Sequence, residues 1–382
     1  MKLFKYAIFF LFVSSMYPWF LWKIPTVVIT VVVAMVAVLS MNKFKLSKSS
    51  NNTRFCVAIS IMLLWMAIKY NLFGVITTLV SIYLVYVLCN LNDSFKKELL
   101  RFITNGFAII LAISIPFYLL NFVGLPLPHS KIVFEDLGAG LENYYLFLKM
   151  GDGLRFQSIF LEPGHMTMGI APLLFLNRYN IRDKAVLVLV IAQLMSMSIA
   201  GIIVMTVGLL FTELLRPSFV DKIKGAFTVL IAFGILVTIA YVFYGEEIIQ
   251  TLILDRLQIK DGGLAGYNRT TLDVDELYYR VLASSNKWTG IDWDPLKYGS
   301  ASGYRVYIIT NGIIGAILAV FSYLMPWITR KKAAMLFFSI ILLLLLLQNG
   351  YPQWWCMLIS LVLGPAYYNY QQVSVVNKRV NN

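Results

Sequence analysis

Glu162 and His165 stand three residues apart, where the polar stretch Gly151-Asp152-Gly153-Leu154-Arg155 runs into an apolar one. Pro163 suits the first turn of a helix, and Gly164 permits close approach of backbone or ligand. A helix starting near Pro163 puts Glu162 just before its positive end. His165 then faces the same cavity. A carboxylate and an imidazole so placed are two candidates for a general base. The plainer alternative is a helix cap beside an interfacial histidine. Ionisable groups are costly at the edge of an apolar segment, which favours the functional alternative.

Arginines form a second set. Arg155 precedes Glu162 on the same stretch. Arg269 lies in Gly266-Tyr267-Asn268-Arg269-Thr270-Thr271, Arg280 in an amphipathic run from Leu272 to Leu282, and Arg305 at the mouth of a later apolar run. A guanidinium offers a planar fork of donors that suits phosphate or pyrophosphate oxygens. Nine acidic residues share the 245–305 region, so any single arginine there reads most simply as an ion pair. At least one of the four is expected to hold an anion. Asp273, Asp275 and Glu276 are the next carboxylates after Glu162 for acid–base work. Ser196 and Ser198 are placed to donate hydrogen bonds, although helix packing by small residues explains them equally well. Tyr351, Trp354 and Trp355 read as an interfacial aromatic belt, with sugar stacking as the lesser alternative.

The elements that carry these residues are apolar helices. Of 382 residues, 59% are apolar and 13% charged. Soluble chains carry about 25% charged residues. A soluble enzyme, a disordered regulator and a collagen-like chain are therefore excluded. The expected fold is all-α and polytopic, a single membrane domain over 1–382 with about twelve spans. They fall near 4–22, 24–41, 55–69, 72–91, 102–123, 156–176, 185–197, 200–215, 225–244, 306–328, 334–349 and 352–370. The run 185–215 is broken by Ser196, Ser198 and Gly201, which predicts a hairpin of two short helices. The N-terminal run has no small-residue cleavage site after it and reads as the first span.

Charge tests the arrangement. With both termini inside, the inner segments carry 20 of the 32 basic residues and five acids, leaving 12 bases and 14 acids outside. The positive-inside rule expects this asymmetry. It accounts for the net charge of +13 without nucleic acid, since no basic run is interleaved with stacking aromatics. Two outer segments are long, 124–155 and 245–305, so chemistry is expected on the outer face. Cys56, Cys89 and Cys356 lack ligand-like spacing and read as buried thiols. With His129 and His165 as the only histidines, no metal centre and no cofactor is expected. No nucleotide-binding loop or hydrolase elbow is visible. An enzyme on that face without a nucleotide site needs a substrate that arrives activated, and a lipid diphosphate sugar is one.

The stretch Arg155-Phe-Gln-Ser-Ile-Phe-Leu-Glu-Pro-Gly-His165 resembles the Arg-Phe-x-Gly-x-Phe-x-Glu-Pro-x-His stretch of bacterial O-antigen and capsular polysaccharide polymerases. Ser196-Met-Ser-Ile-Ala-Gly201 resembles the Ser-x-Ser-x-x-Gly element that follows it there. A late outer loop and then Asn311-Gly312-Ile313-Ile314-Gly315 keep the same order. The likeness covers roughly 150–350 and the layout of spans. Ser158 stands where the family commonly has glycine, and Met197 where it often has arginine. The resemblance implies a metal-independent, C-type-like glycosyltransferase of the bacterial inner membrane, related to the O-antigen ligases. It would join oligosaccharide units carried on undecaprenyl diphosphate, with a flippase and a chain-length regulator as partners. By position Arg155 and Arg269 fit the family's two outer-loop arginines, with Arg280 and Arg305 as further diphosphate contacts. Glu162 or His165 would be the base. The rival activities are an O-antigen ligase, with lipid A-core as acceptor, and a flippase for lipid-linked sugars.

Overall fold

Long apolar runs punctuated by short polar turns fold as helices, because a helix satisfies its backbone hydrogen bonds internally. A computed structural model of the chain describes residues 1–43, 46–47, 49–68, 72–134, 139–149, 155–249, 259–260, 263–264, 272–292 and 303–380. Its helices are α1 (Lys2–Ser14), α2 (Thr26–Ser40), α3 (Ser50–Ala67), α4 (Leu72–Asn90), α5 (Asp93–Phe122), α6 (Pro163–Leu176) and α7 (Lys184–Met195). They continue as α8 (Ile199–Leu214), α9 (Phe219–Ile249), α10 (Leu272–Ala283), α11 (Gly303–Arg330), α12 (Ala333–Asn349) and α13 (Trp355–Val380). Each of the twelve apolar segments is helical over part or all of its length. Among the described residues α5 and α11 are long and apolar enough to cross a membrane. Other apolar helices, such as α2, α7, α8 and α12, have 17 residues or fewer and fall short of that length.

α6 lies at the centre. Every one of its residues is buried except His165. A helix that is apolar all round belongs inside a core, and α6 packs against α7, α8, α12 and α13. The early part of α13, Trp355 to Tyr368, is buried as well. The three cysteines are free thiols within this core.

The two ends of the bundle join different segments. At one end Lys5 pairs with Glu98, Ser47 N donates to Asn90 O (2.7 Å), and Asn51 Nδ2 donates to Thr329 O (3.4 Å). At the other, Leu161 N donates to Tyr17 O (3.2 Å), Trp19 Nε1 to Tyr145 O (3.0 Å), and Asn349 Nδ2 to Gly164 O (3.4 Å). The first end gathers the short basic segments. The second gathers aromatic and amide side chains.

Three features depart from the sequence-based expectation. The chain is not wholly helical: the 124–155 segment carries an antiparallel sheet of β1 (Ser130–Phe134), β2 (Ala139–Asn143) and β3 (Leu148–Lys149), in the order β1-β2-β3. Its Leu141 and Leu148 pack with Leu161 against Tyr17 and Trp19. The span expected from 156 begins at Pro163 instead, because residues 158–162 run beside 17–19. Trp19 N donates to Ile159 O (3.0 Å), and Pro18 bridges Phe160. The span expected over 306–328 is broken at Gly312, whose φ of 67° and ψ of −174° lie outside the helical region and suit glycine. The freed backbone groups find partners: Ile291 N donates to Ile309 O (2.7 Å), Ile314 N to Trp288 O (3.2 Å), and Trp65 Nε1 to Asn311 O (3.0 Å). The predicted hairpin is present, with α7 ending at Met195 and α8 starting at Ile199.

Candidate functional site

The residues before α6 set the site. Glu162 is the N-cap residue, in extended conformation (φ −141°, ψ 151°), and Pro163 occupies the first helical turn. Proline has no N–H to lose there and its fixed φ suits the position. The Glu162 side chain makes no capping hydrogen bond. Its backbone carbonyl serves the helix instead, accepting from His165 N (3.1 Å) and Met166 N (3.4 Å). The carboxylate is therefore half-buried beside the positive end of the helix without closing it, so the capping alternative does not account for it.

His165 is the one side chain of α6 that reaches partly exposed space. Aromatic rings position it. Trp354 meets it edge to face at 4.7 Å between ring centres, and Tyr17 lies at 5.8 Å. Tyr351 stacks on Trp354 at 5.0 Å. Burial first, and the nearby Glu162 carboxylate second, push the Tyr351 phenol above its ordinary pKa. Of the aromatic group read as a membrane belt, Trp354 and Trp355 are buried and Trp354 packs on His165, while Tyr351 remains exposed.

Arg155 comes to the same end of α6 from the α7–α8 side. Its Nε donates to Ser196 O (3.5 Å), and Phe156 N donates to Met195 O (3.1 Å). The end of α7 is locked in turn to α6. Gln193 Nε2 donates to Thr167 Oγ1 and to Ser196 Oγ, both at 3.2 Å. Ser198 caps α8, its Oγ accepting from Gly201 N (3.3 Å). The two serines are thus buried fasteners of the hairpin. Between Arg155 and Glu162 the chain turns at Ser158, whose φ is +52°. A left-handed residue costs about 1–2 kcal/mol when it is not glycine. That is a physical reason for the glycine common at this place in the sequences the stretch resembles. Here the serine gains a buried hydrogen bond, its Oγ lying 2.7 Å from Ser114 Oγ.

The other arginines differ. Arg305 is 7% exposed and ion-paired with Asp275. It lies over the rings of Tyr278 (5.4 Å) and Tyr304 (5.8 Å). These contacts tie α10 to α11, where Val274, Leu277 and Val281 pack on Ile309. Arg280 pairs with Glu276 one turn away at 2.8 Å, both well exposed. Asp273 is exposed on the same helix. Arg269 lies outside the described residues. The structure therefore places Glu162 and His165 at the start of α6, holds Arg155 on the α7–α8 turn that Gln193 ties to Thr167 of α6, and commits Arg280 and Arg305 to carboxylate partners on α10.

Four amide side chains belong to the site's surroundings and were missed by the sequence reading. Gln157 Nε2, Gln193 Oε1, Gln348 Oε1 and Gln353 Oε1 are buried without a hydrogen-bond partner among the described residues. Gln348 packs against Gly164, and Asn349 beside it bonds Gly164 O. A buried polar atom left unpaired costs about 1–3 kcal/mol. Amides within apolar runs carry no charge signal, which is why the sequence did not single them out.

No protein-family model matches this chain, and no curated protein matches it in sequence.

Proposed function

We propose that this chain is a polytopic inner-membrane glycosyltransferase that polymerises lipid-diphosphate-linked oligosaccharide units at the outer face, with both termini in the cytoplasm. The observation that carries the reading is the state of the two candidate bases. Glu162 sits at the end of α6 without capping it, and His165 alone on that helix reaches partly exposed space. The resemblance of 155–165 to polysaccharide polymerases, the basic bias of the inner segments and the apolar composition support it further.

In this reading the growing chain is the donor. A hydroxyl oxygen of the incoming unit bonds to the chain's anomeric carbon. The bond from that carbon to the diphosphate oxygen breaks, and the lipid diphosphate leaves. Glu162 or His165 takes the hydroxyl proton. Arg155, with Arg269 as the second candidate, neutralises the leaving diphosphate. Arg305 and Arg280, paired as they are, hold α10 and its surface instead.

The break in α11 gives the flippase alternative little support. Transporters place such breaks around a central site with exposed backbone groups. Here the groups freed at Gly312 bond to Trp65, Trp288 and Ile291.

The test is the polymer ladder of cells carrying Glu162→Gln or His165→Gln. Loss of a general base costs about 10²–10⁴ in rate, enough to empty the ladder. At least one of the two variants should stop polymer while single units still reach the outer face on their lipid. Units stranded inside would mean a flippase. Normal polymer transferred to no lipid A-core would mean a ligase. Normal ladders from both variants would move the base to Asp273, Asp275 or Glu276.

A further inference from the structure

A cavity of about 610 Å³ opens between α1, α2, α3, α4 and the turn before α13. That volume falls within the roughly 300–1,000 Å³ of small-molecule sites. It adjoins the site described above, because Tyr17 and Trp354 line it and the same two rings contact His165. Six serine and threonine side chains line it: Ser15, Thr26, Thr30, Thr77, Thr78 and Ser81. No Asp, Glu, Lys, Arg or His is among its described lining residues.

The lining selects its ligand. Among the described lining residues an anion would find no cation to offset the water it loses. Three of the hydroxyls give their protons to backbone carbonyls and keep lone pairs, of which Ser15 Oγ and Thr30 Oγ1 each use one in accepting from Cys356 N (2.9 Å) and Trp355 Nε1 (3.2 Å). Thr78 donates its proton to Gly74 O (3.0 Å), Thr30 to Thr26 O (2.8 Å) and Ser15 to Phe12 O (2.8 Å). Gln353, also in the lining, has its buried Oε1 without a partner among the described residues. A lining rich in acceptors, with aromatic faces at one side, fits a ligand rich in O–H donors and with apolar C–H faces. A neutral sugar ring has both.

We propose that this cavity is an uncharged sugar subsite, holding the acceptor unit so that one hydroxyl lies toward His165, while the diphosphate stays on the Arg155 side of α6. The assignment to the acceptor rests on the polymerase reading; the sugar chemistry of the cavity rests on its lining.

The chain in lipid nanodiscs is titrated with the repeat-unit oligosaccharide freed from the cells' lipid-linked pool by mild acid, and binding is followed by saturation-transfer NMR. Ser81→Trp fills the cavity. Leu79→Trp adds the same bulk on the opposite face of α4, where Leu79 lines an apolar groove with Val31 and Met35 of α2. The expected result is wild-type binding by Leu79→Trp and a loss of roughly tenfold or more in affinity for Ser81→Trp. Gln353→Leu removes the amide without filling the space and should cost roughly two- to tenfold. It keeps the test open should Ser81→Trp misfold. Undiminished binding by Ser81→Trp and Gln353→Leu would overturn the subsite, even if Glu162→Gln and His165→Gln empty the polymer ladder. Conversely, the expected binding pattern with normal ladders from both of those variants would keep a sugar subsite, while the base would move to Asp273, Asp275 or Glu276 and the placement of the acceptor hydroxyl toward His165 would fall.

Discussion

Arg155 and Arg305 were both candidates for an anionic ligand, and their surroundings separate them. Arg305 is buried, ion-paired with Asp275 and covered by two tyrosine rings. Arg155 is half-buried and anchored through its Nε to a backbone carbonyl at the end of α7. A buried guanidinium needs a carboxylate to be tolerated, and the pair then fixes two elements to each other. The Arg155 guanidinium, by contrast, keeps access to solvent at a helix end. The contrast teaches that an arginine at the mouth of an apolar helix is not by itself a phosphate site. What its charge already faces decides.

The comparison is broken most easily at Arg155. Arg155→Ala should lower polymerisation by about 10²–10³, the loss typical of one donor aimed at developing negative charge. Arg155→Lys should rescue only in part, because an ammonium lacks the planar fork. The readout is initial rate at fixed protein abundance. Full rescue by lysine would mean that the stem or a point charge, and not the planar fork, does the work.

Asp275→Asn attacks the other side. It leaves Arg305 buried without its charge partner, and breaking such a pair costs about 3–5 kcal/mol. The lower end applies, as the Asp275 side chain is about one-third exposed. Thermal unfolding in detergent should show the loss. The double change Asp275→Leu with Arg305→Met should be less destabilised than Asp275→Asn alone. If Asp275→Asn melts like the wild type, Arg305 is not a structural anchor and regains its place as a ligand contact.

Arg280→Ala should have the smallest effect. Its pair with Glu276 is solvent-exposed at one-turn spacing, and such pairs contribute about 0.3–0.5 kcal/mol. Melting should shift by little and polymer length should not change. A strong polymerisation defect without loss of stability would return Arg280 to the diphosphate.

The helices were legible because long apolar runs leave few alternatives, and the α7–α8 break was legible because Ser196, Ser198 and Gly201 interrupt one. The start of α6 was half legible. Pro163 marked it correctly, yet Phe156, Ile159, Phe160 and Leu161 extended the apolar pattern seven residues too early. Those side chains are buried wholly or in part in an extended segment, and hydropathy does not distinguish that from a buried helix. The left-handed Ser158 within it breaks the helix, and serine does not announce that conformation as glycine would. The break in α11 did have a signal. Asn311-Gly312 is a turn dipeptide, but it sat inside an apolar run and was read as the opening of a span. The small sheet in 124–155 was not read at all, since its strands are short and their pattern weak. The partners of Arg305, and the aromatic contacts of His165, depend on contacts between distant segments that no local pattern carries.

The central claim is that the end of α6 transfers a glycan chain between lipid-diphosphate carriers. Its most direct measurement uses the purified full chain in liposomes, supplied with lipid-diphosphate-linked repeat units from the same cells, scoring chain length and released lipid diphosphate together. The claim predicts one lipid diphosphate released for each unit added, with both signals lost in the Glu162→Gln, His165→Gln double variant. Intact units moving across the bilayer without elongation, or elongation undiminished in the double variant, would contradict it.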